Sequence, residues 1–253
     1  MSDEVSRSEP EDLDFVQPGY LGPTPPLSQL PPRGERLWVD RPEQLLHAVS
    51  LLKKATVVAV DAEFAQTRSH AHKDGATHTP RLALLQLAID QHCFVVDALR
   101  LHDLSLLANV LAQPSIAVLL HGAGADLRVM AERGLHVAHY YDLEATCRSI
   151  FGQHESSLAA MLRRAFGIHL DKSLQRTDWT RRPLPPAMIA YAARDAEGTL
   201  ALYHWLVQHY HAILQLHEHT TNQSEPVAPW IEPFLRGNTP YSAEVAVAEA
   251  KAR

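Results

Sequence analysis

The chain has 253 residues, 46% of them hydrophobic, and a formal net charge of −6. That is ordinary material for one large packed domain. No apolar run approaches the roughly 18 residues of a membrane span, the acidic start lacks the basic and apolar regions of a signal peptide, and two isolated cysteines, Cys93 and Cys147, make neither a disulfide framework nor a zinc pattern. A cytoplasmic location without a membrane partner is the default expectation.

The acid excess is uneven. Residues 1–36 hold seven acids and three bases, and seven of the 17 prolines lie between Pro10 and Pro32. This composition, with no apolar periodicity, predicts a disordered Pro-rich leader over 1–36. Residues 37–253 hold 22 acids and 20 bases, close to neutral. Between Arg163 and Arg194 there are seven bases and only two acids, Asp171 and Asp178. Such a strip can face phosphates or simply be solvated.

Order is expected from Leu37-Trp38-Val39. Asp40 and Pro42 then offer helix-start chemistry for Glu43 to Lys53. The β-branched run Thr56 to Val60 predicts a buried central strand. Residues 64–80 are polar and predict a long surface loop. Leu82 to Ile89 and Cys93 to Val96 predict a hairpin across Asp90-Gln91. A helix is expected over Leu101 to Leu111, a strand over Ile116 to Leu120, and a helix over Ala125 to Arg133. Tyr140 to Phe151 starts extended and turns helical. Ser156 is the expected cap of a helix over Ser157 to Phe166, closed by Gly167. Residues 168–184 form a basic loop. Pro185-Pro186 opens a last long helix to about His219, and residues 221–253 read as a tail. The domain spans 37–220, an α/β domain with a mixed sheet.

Three places carry candidate chemistry. Asp61-Ala62-Glu63 follows the central strand, and carboxylates at i and i+2 of an extended segment point to one side. Asp126 falls in the first turn of the helix after the Ile116 to Leu120 strand, where a cap or dipole role would also explain it. Tyr191 and Asp195, four apart, share one helix face, a polar patch among alanines.

In that order, Asp-x-Glu, Asp and Tyr-x-x-x-Asp resemble the DEDD exonuclease superfamily in its tyrosine-bearing branch. The stretch Leu170-Asp171-Lys172-Ser173-Leu174-Gln175-Arg176-Thr177-Asp178-Trp179-Thr180-Arg181-Arg182-Pro183-Leu184 is similar to ribonuclease D before its last motif. Leu84-Leu85-Gln86-Leu87-Ala88 is similar to that family's second strand. The resemblance covers about 38–215.

The resemblance implies a ribonuclease H-like fold, a mixed central β-sheet flanked by α-helices, and two divalent cations, Mg²⁺ or Mn²⁺. It implies that Asp61, Glu63 and Asp195 hold one ion, that Asp61 bridges to the second, that Asp126 reaches the second through water, and that Tyr191 orients the attacking water. Hard cations prefer such carboxylate oxygens, and paired ions clamp both oxygens of an in-line displacement. Phe64, next to Glu63, is a candidate for stacking on the terminal base or for the core. Lys172, Arg176, Arg181 and Arg182 are candidates to meet phosphates or to close their loop against the site. Trp179 is read as that loop's packing anchor and His121 as a hydrogen-bonded buried histidine.

The function implied is 3′→5′ hydrolysis of single-stranded RNA 3′ ends, as in tRNA or other structured RNA 3′ processing, releasing nucleoside 5′-monophosphates. DNA is the alternative substrate, as in the Werner-type members of the same branch. A non-catalytic RNA-binding module would lack at least one carboxylate, and all four are present. Ribonuclease D carries helical nucleic-acid-binding domains after its nuclease, whereas about 35 residues follow the last helix here, so processivity is left open.

Overall fold

A computed structural model describes residues 24–65, 80–171, 173–174 and 177–220. Most of the 64–80 loop, Lys172, Arg176 and the 221–253 tail lie outside the described residues, as do residues 1–23 of the expected leader.

The elements run β1 (Glu35–Val39), α1 (Pro42–Leu52), β2 (Val57–Ala65), β3 (Arg81–Ile89), β4 (His92–Asp97), α2 (Ser105–Leu111), β5 (Ala117–Leu120), α3 (Ala123–Ala131), β6 (His139–Asp142), α4 (Leu143–Phe151), a 3₁₀ turn (Gln153–Glu155), α5 (Leu158–Phe166), α6 (Pro186–Gln215) and β7 (Glu218–Thr220). The strands form one mixed sheet in the order β1-β4-β3-β2-β5-β6-β7. β2 pairs antiparallel with β3 and parallel with β5, so the longest apolar runs sit at the centre. Both faces of these strands are covered, which explains why β3 is buried along nearly its whole length.

One face carries α1, α2 and α3, packed through Leu45, Val49, Leu107, Val110, Val129 and Met130 against Val58, Val60 and Leu85. The other carries α6. Its alanines, Ala192, Ala193 and Ala196, let the helix approach Ala59, Leu84, Ala88 and Val95 closely. Outside α6, α4 and α5 close a third cluster around Trp205. Cys93 and Cys147 are buried free thiols. Among the described residues no helix is long and apolar enough to cross a membrane.

Several boundaries differ from expectation. β1 starts at Glu35, inside the expected leader. Residues 24–34 have no regular structure, yet Ser28 N–H donates to the Ala165 carbonyl at 2.8 Å and Arg164 to the Thr24 hydroxyl at 2.7 Å. Ser157, not Ser156, caps α5: its hydroxyl accepts from Ala160 N–H, while the Ser156 hydroxyl donates to the Gln153 carbonyl. The last helix stops at Gln215, and residues 218–220 instead pair with β6. A three-residue strand has no periodicity to read.

Candidate active site

The site lies at the end of β2, where the sheet meets α6. Asp61 and Glu63 alternate onto the α6 face, in line with buried Ala59. One carboxylate oxygen each from Asp61, Glu63 and Asp195 fall within 4.8 Å of one another. Asp195 stands one turn beyond Tyr191 on α6, so the four-residue spacing brings both to this corner. The register of β2 on β3 shifts between Glu63 and Phe64, an irregularity just beyond the acids.

Asp126 stands outside that cluster of three but close enough to act on it. It is 8% exposed, in the first turn of α3. Burial and the charge of Asp142 push its carboxyl up to about 7. Burial, then Asp195 and Asp126, push Glu63 up to about 8. Asp61 is raised well above the usual carboxylate range by burial and by Asp126, Asp195 and Glu63; an Ala62 backbone hydrogen bond pulls weakly the other way. Burial and nearby negative charge raise three of these carboxyls, so a positive charge among them would favour their ionised forms.

That is a test the site passes as a cation site. Its donors are carboxylate oxygens, the ligand type hard divalent ions prefer. Bound cations would relieve the cost of gathering them.

Tyr191 serves two purposes. Its ring is 6% exposed and packs on Trp179 with centroids 6.0 Å apart, so Trp179 (3% exposed) anchors its loop as expected. Burial, then Asp195, Glu63 and Asp61, push the Tyr191 hydroxyl well above its ordinary value. It is therefore a neutral hydroxyl held beside three carboxylates.

A cleft of ≈ 250 Å³ opens here, lined by Asp61, Tyr191 and Asp195 with His121, Glu144, Ser157, Leu158, Ala159, Leu170 and Asp171. His121 is thus a cleft wall as well as a buried group; its Nε2 is buried without a partner, and burial lowers its basicity.

Asp142 was not legible as part of the site. Its carboxylate accepts from the backbone N–H of Gly122 and Ala123 at the start of α3 and of Glu144 and Ala145 at the start of α4. It ties two helix N-termini together and so fixes the turn that carries Asp126. The signal was an Asp directly before an apolar helical run, an N-cap pattern. Gly122 sits at φ +82°, a left-handed conformation that favours glycine at this turn.

For two of the candidate RNA contacts the structure shows the alternative role. Phe64 packs, half-buried, against the core on the α1–α3 face; it shares the alternation of Val60 and Ala62, opposite to Glu63. Arg182 is committed elsewhere. Its Nε and Nη2 donate to both oxygens of fully buried Asp97 at 2.6 and 2.7 Å, and its remaining donors reach the carbonyls of Trp179, Arg181 and Ala83. It closes the loop rather than meeting phosphate. Arg181 is exposed.

A sheet with this strand order and three clustered carboxylates backed by a fourth defines a nuclease of the acid-cluster kind. The sequence profile described as 3′-5′ exonuclease matches residues 37–210, and the chain belongs to that family. It is 35% identical over 167 residues to Protein RRP6-like 3 of Arabidopsis thaliana, covering 65% of this chain and 18% of that protein. Against ribonuclease D of Escherichia coli (strain K12) it is 36% identical over 143 residues, 54% of this chain and 35% of that protein. The crystal structure of Escherichia coli RNase D, described as an exoribonuclease involved in structured RNA processing, superposes with TM-score 0.62 at 28% identity over 69% of this chain and 44% of that one. The catalytic core of RRP6 from Trypanosoma brucei (mutant C496S) gives TM-score 0.60 at 27% identity over 72% and 50%. The chain spans less than half the length of the curated relatives it matches.

Proposed function

We propose that the chain is a 3′→5′ exoribonuclease that removes nucleoside 5′-monophosphates from single-stranded RNA 3′ ends, with structured RNAs as the source of those ends. The observation that carries this reading is the convergence of the Asp61, Glu63 and Asp195 oxygens within 4.8 Å beside a neutral tyrosine hydroxyl.

Asp61, Glu63 and Asp195 would hold one divalent cation, Mg²⁺ or Mn²⁺, and Asp126 with Asp61 a second. Bound cations supply Lewis-acid stabilisation of the phosphodiester's developing charge. Tyr191 holds the water nucleophile in line through its hydroxyl, with its ring locked against Trp179. His121, Glu144 and Ser157 offer polar groups along the cleft, the means by which a protein reads a 2′-hydroxyl. Arg181 is free to meet the phosphate backbone, and Lys172 and Arg176 are proposed with it from sequence alone. An RNA substrate agrees with the ribonuclease names of the relatives.

The test uses 5′-labelled single-stranded RNA and DNA of one sequence, each with a free and a 3′-blocked end. Expected is a ladder shortening from the 3′ end of unblocked RNA, abolished by EDTA and restored by Mn²⁺. Internal cleavage, or full activity in excess chelator, would overturn the reading. Equal digestion of DNA would move the substrate assignment to DNA.

A further inference from the structure

Gln86 is the most anomalous polar residue of the core. It is fully buried in the middle of β3, and both its Oε1 and Nε2 lack a hydrogen-bond partner. Its neighbours in sequence, Leu84, Leu85, Leu87 and Ala88, are what a central strand wants. An amide among them costs free energy unless something engages it.

Its position sets one polar side chain across from it. In the β2–β3 ladder Gln86 stands directly opposite Asp61. Opposed residues of an antiparallel pair project to the same face, with Cβ atoms about 4.5–5.5 Å apart. The shared face is the one covered by α6, where Leu84 and Ala88 meet Ala192, Ala193 and Ala196. Gln86 also pairs with Val95 of β4, an apolar residue of that face, which offers the amide nothing. Asp61 is the polar side chain set across the ladder from it.

We propose that Gln86 is a positioning residue of the active site, whose amide nitrogen donates to the Asp61 carboxylate across the ladder and holds it in the orientation that would ligate a divalent cation. This rests on the cation-dependent reading above. A ligating carboxylate spends one lone pair on the ion and needs donors for the rest. The Ala62 backbone supplies one to Asp61, and Gln86 supplies another from beneath. Because Gln86 is sealed from solvent it touches no RNA, so its effect passes through Asp61 alone. Partners of ligating groups typically contribute 10- to 100-fold in metal affinity or activity.

The experiment compares wild type with Gln86→Met, which keeps the volume and removes both polar atoms, and with Gln86→Asn, which retracts the amide by one methylene. Mn²⁺ affinity is measured by calorimetry on the full chain, with melting temperature in EDTA and steady-state kinetics on single-stranded RNA alongside. Expected for Gln86→Met is a melting temperature in EDTA equal to or above wild type, Mn²⁺ affinity weaker by about 10- to 100-fold, a lower kcat and an unchanged KM for RNA. Gln86→Asn should lose Mn²⁺ affinity in the same direction. Either folded variant binding Mn²⁺ as tightly as wild type overturns the role of Gln86, as does a Gln86→Met protein that melts far below wild type in EDTA, which would make the amide a packing element. Wild type that binds no Mn²⁺ would instead remove the cation reading beneath it.

Discussion

Arg182 and Asp97, 85 residues apart, form a two-pronged ion pair, Nε to Oδ2 at 2.6 Å and Nη2 to Oδ1 at 2.7 Å, with the Asp97 side chain fully buried. Asp97 ends β4, and Arg182 lies near the end of the basic loop that leads into α6. The pair therefore pins the start of the helix carrying Tyr191 and Asp195 to the sheet carrying Asp61 and Glu63.

Removing Arg182 leaves Asp97 buried and without its charged partner. Arg182→Met is expected to lose about 3 kcal/mol of stability, read by urea unfolding, and Arg182→Lys to recover only part, because an ammonium cannot make two parallel bonds. A neutral Arg182→Met with weakened RNA binding would return Arg182 to the phosphate contacts.

Tyr191→Phe removes one hydroxyl and keeps the ring on Trp179. Folding and Mn²⁺ dependence should hold, KM should stay near wild type, and kcat should fall about 100-fold, the scale of a lost alignment. Single-turnover kinetics on labelled RNA make the check. An unchanged kcat would leave Tyr191 as a core residue only.

Asp142 satisfies four backbone N–H groups at two helix starts. Asp142→Ala should cost about 2 kcal/mol, and should weaken divalent-ion binding because the Asp126 turn is no longer held. A melting temperature within a degree of wild type would contradict this account of the turn.

The acids also set the pH response of the cation-free protein. Glu63 goes from an ordinary 4.5 to about 8 and Asp126 from 3.8 to about 7 on folding. The folded state thus holds protons the unfolded chain has released, so stability falls as pH rises from about 4 to about 8. Divalent cations bind the folded state and replace those protons, so the fall should flatten with Mn²⁺ present. Melting temperatures across pH 4–9, with EDTA and with Mn²⁺, test it. A rise with pH in EDTA would contradict the packing of the four acids.

Much of this was visible in the sequence because strand ends place chemistry where alternation and helical spacing can be read. Asp61 and Glu63 share parity, and Tyr191 and Asp195 share a turn. The same alternation assigns Phe64 to the opposite face, since it keeps step with Val60 and Ala62, and favours the core over base stacking for it. What could not be read depends on distant pairing. Nothing near Arg182 announces Asp97, and Gln86 becomes significant only when the ladder sets it opposite Asp61. β7 is held by β6, not by any pattern of its own.

The central claim is that Asp61 organises cation-dependent hydrolysis. The direct measurement is Asp61→Asn, assayed on 5′-labelled single-stranded RNA with Mn²⁺ while RNA affinity is followed by fluorescence anisotropy. The account expects turnover reduced to near background, Mn²⁺ binding lost or greatly weakened, and RNA still bound, since phosphate contacts outside the cation site are unchanged. A purified, folded Asp61→Asn protein that shortens RNA at the wild-type rate would contradict it.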